Sequence, residues 1–130
     1  MDLKDRLIQF EQAYTKLKEA IDIYGEDARE IYIDAMIQRF EFCTELSWKL
    51  LKKYLEQEKF GEFYSPKSVI KEAFKQNLLP DGEIWLDILD DRNLTSHTYD
   101  EITANRIRDN IINKYIYQFD KLLSIMKERI

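Results

Sequence analysis

The stretch AREIYIDAMIQRFEFCTELSWKLLKKYLEQEK, residues 28–59, carries apolar side chains at helical spacing over a wide arc. Four of them fall on one side of a helix: Ile33, Ile37, Phe40 and Leu51. Others widen that face: Ile31, Ala35, Phe42, Leu46 and Leu50. A helix that is apolar over so much of its circumference sits centrally, where it contacts neighbours on two sides or lines a subunit interface. This stretch therefore predicts the helix around which the fold is built.

Amphipathic helices are predicted on both sides of this central segment. Residues 3–24 repeat apolar side chains at spacings of three and four, and Gly25 marks the end of that helix. After a break at Gly61, Ser65-Pro66 predicts a helix start, because a capping hydroxyl precedes a proline at the first helical position. The short helix that follows, to about residue 77, is predicted to bury four apolar side chains: Val69, Ile70, Ala73 and Phe74.

Two further helices follow. Asp81 is placed to cap a helix over residues 83–95 that turns Ile84, Trp85, Ile88 and Leu89 inward. Its exposed face is predicted to carry four carboxylates: Glu83, Asp87, Asp90 and Asp91. Either Thr98 or Asp100 would cap the last helix, which repeats apolar residues at spacings of three and four almost to residue 130.

The chain shows no strand alternation, repeat or linker, so we predict one all-α domain over residues 1–130, a four- to five-helix up-and-down bundle. The net charge of -5 argues against general coating of nucleic acid, and any polyanion must meet a local basic patch. The single cysteine, Cys43, excludes an intrachain disulfide and is expected to be a small buried hydrophobe. No signal peptide or membrane-spanning run is apparent, and we expect a cytoplasmic protein that does not bind a membrane.

One stretch combines polar side chains of different chemistry. The sequence DDRNLTSHTYD, residues 90–100, holds the only histidine of the chain, together with an arginine, an asparagine, hydroxyl side chains and a tyrosine. Such a combination is costly for a segment that only has to fold. It is therefore the candidate functional site.

The chemistry of this stretch suits cleavage of a phosphodiester without a metal. His97 can both give and take a proton near neutral pH, since the unperturbed pKa of histidine is about 6.5. Arg92 is permanently charged, and its planar fork matches a phosphate. The histidine would deprotonate a ribose 2′-hydroxyl or protonate the leaving oxygen, while the arginine stabilises the charge that develops on phosphorus.

This chemistry sets two conditions, one on the geometry of Arg92 and His97 and one on the number of histidines. On one straight helix, Arg92 and His97 would lie roughly 140° apart at ~100° per residue, so they converge only if the helix ends or bends between them. One chain also supplies a single histidine, whereas this chemistry benefits from two proton-transfer groups. A two-fold dimer would place two Arg/His sets across a shared cleft, and the chemistry therefore favours a homodimer.

The run RNLTSHTY, residues 92–99, resembles the R-x4–6-H motif of the HEPN superfamily in its R-N-x3-H-x-Y form. Together with the helical segment FCTELSWKLL, residues 42–51, it makes the whole chain similar to the compact branch known as nucleotidyltransferase substrate-binding proteins. Members of that branch are four- to five-helix bundles that form homodimers. They are paired with a minimal nucleotidyltransferase (MNT) as toxin and antitoxin.

The resemblance implies a metal-independent endoribonuclease toxin that acts on tRNA or mRNA at a dimer cleft and needs no cofactor. Arg92 and His97 would be its catalytic pair, and Asn93 the polar residue that positions them. Asp91 would support the arginine. Tyr99 matches the tyrosine that the partner enzyme can modify with AMP to silence the toxin.

Other interpretations stay open at this point. Arg92 and His97 would have no catalytic role if the arginine paired with Asp90 or Asp91 on the surface and the histidine only capped a helix. The bundle would then be a non-catalytic subunit that presents a nucleotide or substrate to its nucleotidyltransferase, or a structural adaptor.

Two further patterns are predicted to be solvated faces. Four carboxylates near the histidine, Asp87, Asp90, Asp91 and Asp100, are too loosely spaced to predict a magnesium site. Two groups of lysines could guide phosphates towards the cleft, but solvated helix faces have the same pattern: Lys67, Lys71 and Lys75, and Lys49, Lys52 and Lys53.

Overall fold

The computed structural model describes all residues, Met1–Ile130, and contains helices and their connections. The helices are α1 (Leu3–Tyr24), α2 (Glu30–Gln57), α3 (Pro66–Lys75), α4 (Gly82–Leu94), α5 (Glu101–Asn110) and α6 (Ile116–Arg129). A 3₁₀ turn, Thr95–His97, follows α4, and a π-helical segment, Ile111–Tyr115, joins α5 to α6 without a break. The predicted all-α bundle is confirmed.

Side-chain caps fix where most of these helices begin. The Ser65 hydroxyl accepts the N–H of Ser68 ahead of Pro66, and the Asp81 carboxylate accepts the N–H of Ile84. Asp100, and not Thr98, caps α5 by accepting the N–H of Ile102. Each cap satisfies an N–H group that has no partner inside its helix. The predicted starts at Ser65-Pro66 and Asp81 are therefore confirmed.

The helices enclose one core of 30 buried residues. Its centre is aromatic: Phe119 of α6 lies edge-on to Trp85 of α4 at 5.4 Å, and to Phe10 of α1 at 6.2 Å. Phe40 of α2 stacks on Tyr115 with 5.5 Å between ring centroids. Such pairs join helices that are distant in sequence. The central position of α2 is confirmed, since it contacts α1, α3, α4 and α5.

Burial also confirms one expectation and corrects another. Cys43 is fully buried, and burial raises the pKa of its thiol, as expected of a small hydrophobe. Phe74, in contrast, is 51% exposed, although the sequence predicts it buried. Only one face of the short helix α3 meets the core, and Phe74 lies instead over the backbone of Gly82, where an added Cβ would come within 2.9 Å of its ring.

The wide apolar face predicted for α2 is only partly covered. Ile33, Ile37 and Phe40 are buried as predicted. Ile31 is 71% exposed and Phe42 is 56% exposed, and Ala35 is exposed as well. The prediction that these three widen the buried face is wrong for the single chain, because no other helix of the chain covers that side of α2. None of the helices has both the length and the apolar character needed to cross a membrane.

Candidate functional site

The candidate site is built on the corner between α4 and α5, residues 91–100. The α-helix ends at Leu94, and the 3₁₀ turn Thr95–His97 tightens the chain after it. The Thr95 hydroxyl donates to the carbonyl of Arg92 at 2.8 Å, and the Thr98 hydroxyl donates to the carbonyl of Thr95 at 3.1 Å. These side chains satisfy carbonyls that the helix end leaves free. The α-helix therefore ends between Arg92 and His97, which meets the condition that the sequence set for their convergence.

Arg92 lies against α2, and its side chain is 31% exposed. Its Nε is 3.2 Å from Glu45 Oε1, and its Nη1 is 3.9 Å from Glu41 Oε2. The Nε–H does not point at an acceptor, so these carboxylates act on the guanidinium by charge and not by a well-formed hydrogen bond from Nε. Neither Asp90 nor Asp91 pairs with Arg92, so the surface ion pair of the alternative interpretation is absent.

Asp91 is buried, with 4% of its surface exposed, and the prediction that it lies on the exposed face of α4 is wrong. Its carboxylate accepts hydrogen bonds from the Tyr115 hydroxyl at 2.5 Å and from the Asn110 amide at 3.1 Å. Arg106 Nη2 lies 2.9 Å from its other oxygen. These three partners from α5 and the π-helical segment supply the hydrogen bonds and the positive charge that a buried carboxylate needs to offset the loss of water.

The network of Asp91 holds the end of α4 in place. Burial, with the Asp91 carboxylate as acceptor, raises the pKa of Tyr115 far above its usual value, so the hydroxyl stays a donor. Asp91 is thus anchored to the core while the next residue, Arg92, points towards α2. The sequence predicts a supporting role for Asp91, and the structure shows it bonded to α5 and the π-helical segment and not to the arginine.

His97 is exposed and makes no side-chain hydrogen bond within the chain. Its ring lies edge-on to Tyr99, with 6.1 Å between the centroids. No hydrogen bond joins His97 to Arg92. Asn93, in the last turn of α4, is exposed too and has no hydrogen-bond partner for its side chain. The single chain therefore presents Arg92 and His97 on the same corner but does not bring their side chains into contact.

Tyr99 is 85% exposed and is one of the residues that line a cavity of about 240 Å³. Three carboxylates line this cavity: Glu30, Asp34 and Glu101. The Tyr99 hydroxyl is free of intrachain hydrogen bonds and open to a reagent from solvent. In the structure, no group of three His, Cys, Asp or Glu side chains is arranged to hold a metal ion.

Sequence reasoning missed the two glutamates that brace the arginine. Glu41 and Glu45 are four residues apart and so share one face of α2, but the sequence does not link that face to Arg92. Trp48, on the next turn, donates its Nε1–H to Glu45 Oε2 at 3.2 Å. Glu45 therefore contacts both Arg92 and Trp48.

Comparison with known proteins gives consistent results. A family described as nucleotidyltransferase substrate binding protein like matches residues 5–128. The chain is also 31% identical, over 112 residues, to a Haemophilus influenzae protein named probable ribonuclease HepT. That alignment covers 83% of this chain and 76% of the relative.

Solved structures share the same fold. One from Haemophilus influenzae, described as the substrate binding domain of a nucleotidyltransferase, has a TM-score of 0.84 at 27% identity, covering 93% of this chain and 98% of that one. Another contains the tri-AMPylated HEPN toxin of Shewanella oneidensis in complex with an MNT antitoxin, with a TM-score of 0.79 over 97% of this chain and 96% of that one. At 13% identity the second similarity establishes the fold alone, which is the predicted HEPN-like bundle.

Proposed function

Because this chain belongs to the nucleotidyltransferase substrate binding protein like family, we propose that it is the toxin of a HEPN/MNT toxin–antitoxin pair. In this proposal it is a homodimeric endoribonuclease of the cytoplasm that cuts tRNA or mRNA without a metal. The observation that carries the proposal is the α4–α5 corner, where an exposed histidine without a partner follows an arginine braced by two glutamates. Similarity to a relative named probable ribonuclease supports it.

The proposed reaction uses the groups of this corner together with those of the same corner in a second chain. His97, as general base, takes the proton of a ribose 2′-hydroxyl, and the 2′-oxygen attacks phosphorus. The bond from phosphorus to the 5′-oxygen breaks, and that oxygen takes a proton from a second, protonated histidine. Arg92 stabilises the negative charge on the phosphate oxygens meanwhile. The products are a 2′,3′-cyclic phosphate and a free 5′-hydroxyl.

The geometry of one protomer favours a dimeric site. His97 has no second proton-transfer group as a hydrogen-bond partner, and Asn93 is exposed with no group to position. A two-fold axis near the corner would bring the partner's histidine to the same phosphate. One histidine would then act as the base on the 2′-hydroxyl, and the other would act as the acid on the leaving 5′-oxygen.

The test is cleavage of purified tRNA and mRNA in excess EDTA by wild type, His97→Ala and Arg92→Ala. We expect cut RNA with 2′,3′-cyclic phosphate ends from the wild type only. Each substitution should lower the rate by about 10²-fold or more, the scale of a lost acid–base or charge-stabilising group. Lys67→Ala, on an exposed face of α3, is the control and should cut like the wild type.

Two outcomes would contradict the proposal. Cleavage that survives both substitutions would mean that the activity lies elsewhere. A well-folded, unmodified wild type that leaves RNA intact would favour the non-catalytic alternative. The intact mass of the sample decides whether the protein is unmodified, and it is measured before the assay.

Silencing of the toxin belongs to the same proposal, with Tyr99 as the acceptor of AMP from the cognate MNT antitoxin. The tyrosine oxygen would attack the α-phosphorus of ATP, and pyrophosphate would leave. Tyr99 is suited to this by its exposure and by the lack of any hydrogen bond to its hydroxyl. The added phosphate and base would stand beside His97, whose ring is 6.1 Å from that of Tyr99, where RNA would otherwise bind.

This part is tested by incubating the protein with the cognate nucleotidyltransferase and ATP. We expect the mass gain of adenylate in the wild type and in Tyr64→Phe, together with loss of cleavage. Tyr64 is the matched control because it is 87% exposed, as accessible as Tyr99. Tyr99→Phe should gain no adenylate and stay active. Equal modification of both variants would place the acceptor elsewhere.

The second candidate is a non-catalytic subunit that binds a nucleotide or substrate for its nucleotidyltransferase. The description of the family and the solved structure named as a substrate binding domain favour it. It predicts the same partner but no RNA cleavage, so the EDTA assay separates the two candidates.

A further inference from the structure

A groove beside the candidate site concentrates positive charge. It has a volume of about 340 Å³ and lies between the start of α1 and the second half of α2. Its lining consists of Arg6, Trp48, Lys49, Lys52, Lys53 and Glu56. We call it the cationic groove. Four cations and one carboxylate thus line one concavity on a chain whose net charge is -5.

The cations of the groove have no structural partner. Arg6, Lys49, Lys52 and Lys53 take part in none of the ion pairs of the structure, as is the case for most lysines of the chain. Nor do the lysines serve the helix dipole, because the last turn of α2 contains no basic residue. Their positive charge is therefore free to meet an anion from outside.

Trp48 adds an aromatic surface to this charge. It is partly buried, and its hydrogen bond to Glu45 at 3.2 Å fixes the orientation of the indole. A basic groove next to an aromatic ring is the combination that binds single-stranded nucleic acid, since phosphates follow the charge and a base stacks on the ring. An acidic protein surface would use the lysines but has no base to stack on the indole.

The cationic groove is linked to the candidate site through Glu45, which contacts both Trp48 of the groove and Arg92. Glu45 Oε1 lies 3.2 Å from Arg92 Nε, while Glu45 Oε2 accepts the Trp48 hydrogen bond. Lys52 follows Glu45 by seven residues, or about 10 Å along α2 at about 1.5 Å per residue. A strand held by the lysines would reach Arg92 within a short distance.

From these observations we infer that the cationic groove binds the sugar–phosphate backbone of single-stranded RNA next to the scissile bond, with one base stacked on Trp48. This inference rests on the proposed function, because it takes RNA as the substrate of the Arg92/His97 site. It explains how an acidic protein holds a polyanion, through a local patch and not through its overall charge.

Binding is measured separately from cleavage. The probe is a fluorescein-labelled single-stranded oligouridylate of about 12 nucleotides, within the usual footprint of such grooves. All proteins carry His97→Ala to prevent cutting, and the buffer contains EDTA. We compare Lys49→Gln/Lys52→Gln with Lys67→Gln/Lys75→Gln, which removes the same charge from exposed positions on α3 outside the groove. Circular dichroism checks that each variant is folded.

We expect Lys49→Gln/Lys52→Gln to bind roughly tenfold more weakly, with its slope of log K against log salt smaller by about 1.4, because each contact to a single-stranded phosphate contributes about 0.7. The α3 pair should bind like the parent. RNA should also quench tryptophan fluorescence through Trp48, since Trp85 is fully buried.

Three results would overturn the inference: equal weakening by both pairs, no weakening by either, or no binding of the oligonucleotide by the parent. Failure of the proposed function is distinguishable from these. A wild type that binds RNA through the groove but never cuts it would remove the nuclease and keep the groove. If the wild type cuts RNA while Lys49→Gln/Lys52→Gln binds it normally, the nuclease is kept and the role of the cationic groove is excluded.

Discussion

Asp91 and Arg92 are adjacent in sequence but have opposite environments. Asp91 points into the core, where Tyr115, Asn110 and Arg106 contact it. Arg92 points to α2, where Glu41 and Glu45 hold its guanidinium near the surface. A buried carboxylate with three partners is costly to disturb, because removal of any partner leaves charge without compensation. The network therefore fixes the backbone from which the arginine reaches out.

We expect Tyr115→Phe to lower the free energy of unfolding by about 1.5–3 kcal/mol, the range for a hydrogen bond to a charged group. Tyr14→Phe is the matched control, since the Tyr14 hydroxyl donates to Asp120 at 2.8 Å and Asp120 is exposed. Water can replace that donor, and we expect a loss below about 1 kcal/mol. Urea unfolding followed by circular dichroism measures both. An equal loss in the two variants would contradict the role given to the Asp91 network.

At the level of single helices, the signals that the sequence carries are local ones. Ser65-Pro66 and Asp81 mark helix starts because the cap and the helix it serves lie within a few residues of each other. The corner between α4 and α5 follows the same logic, since Thr95 and Asp100 satisfy backbone groups nearby. This is why the helix end between Arg92 and His97 could be anticipated from sequence.

Contacts between distant helices could not be anticipated in this way. In the sequence, Asp91 is one of several carboxylates on α4. Its burial depends on a contact with Tyr115, which lies 24 residues later. Phe74 reads as part of an apolar stripe, but the length and placement of α3 leave it outside the core. Glu41 and Glu45 are visible as a pair on α2, yet nothing local connects them to Arg92.

The π-helical segment has a signal in the spacing of its apolar residues. Ile107, Ile111, Tyr115 and Phe119 are spaced four apart and all are buried. In a regular α-helix each step of four residues turns the side chain a further ~40° away from the core, at ~100° per residue. The wider turn of Ile111–Tyr115 reduces that drift and keeps Tyr115 facing Asp91. An unbroken run of four-residue steps was therefore a usable sign of the π-turn.

For the molecule as a whole, two features of the single chain have no partner within it. Ile31 and Phe42 remain exposed on α2, the helix whose wide apolar face is consistent with a subunit interface. His97 stands on the α4–α5 corner without an acid–base partner of its own chain. Both are explained if two chains pack so that their corners share one cleft, as the proposed function requires.

A shared cleft makes a quantitative prediction for mixed dimers, because it needs both histidines at once. Wild type and His97→Ala are unfolded together in equal amounts and refolded, which gives about one quarter wild-type, one half mixed and one quarter mutant dimers. If His97 of each chain is needed at one phosphate, mixed dimers are inactive and ribonuclease activity falls to about a quarter of an all-wild-type sample. If each chain carries its own complete site, activity falls only to about half. Wild type refolded with Tyr64→Phe serves as the control and keeps full activity, since Tyr64 lies outside the α4–α5 corner. Light scattering on the same samples confirms that dimers have formed, and an active monomer would contradict the shared cleft outright.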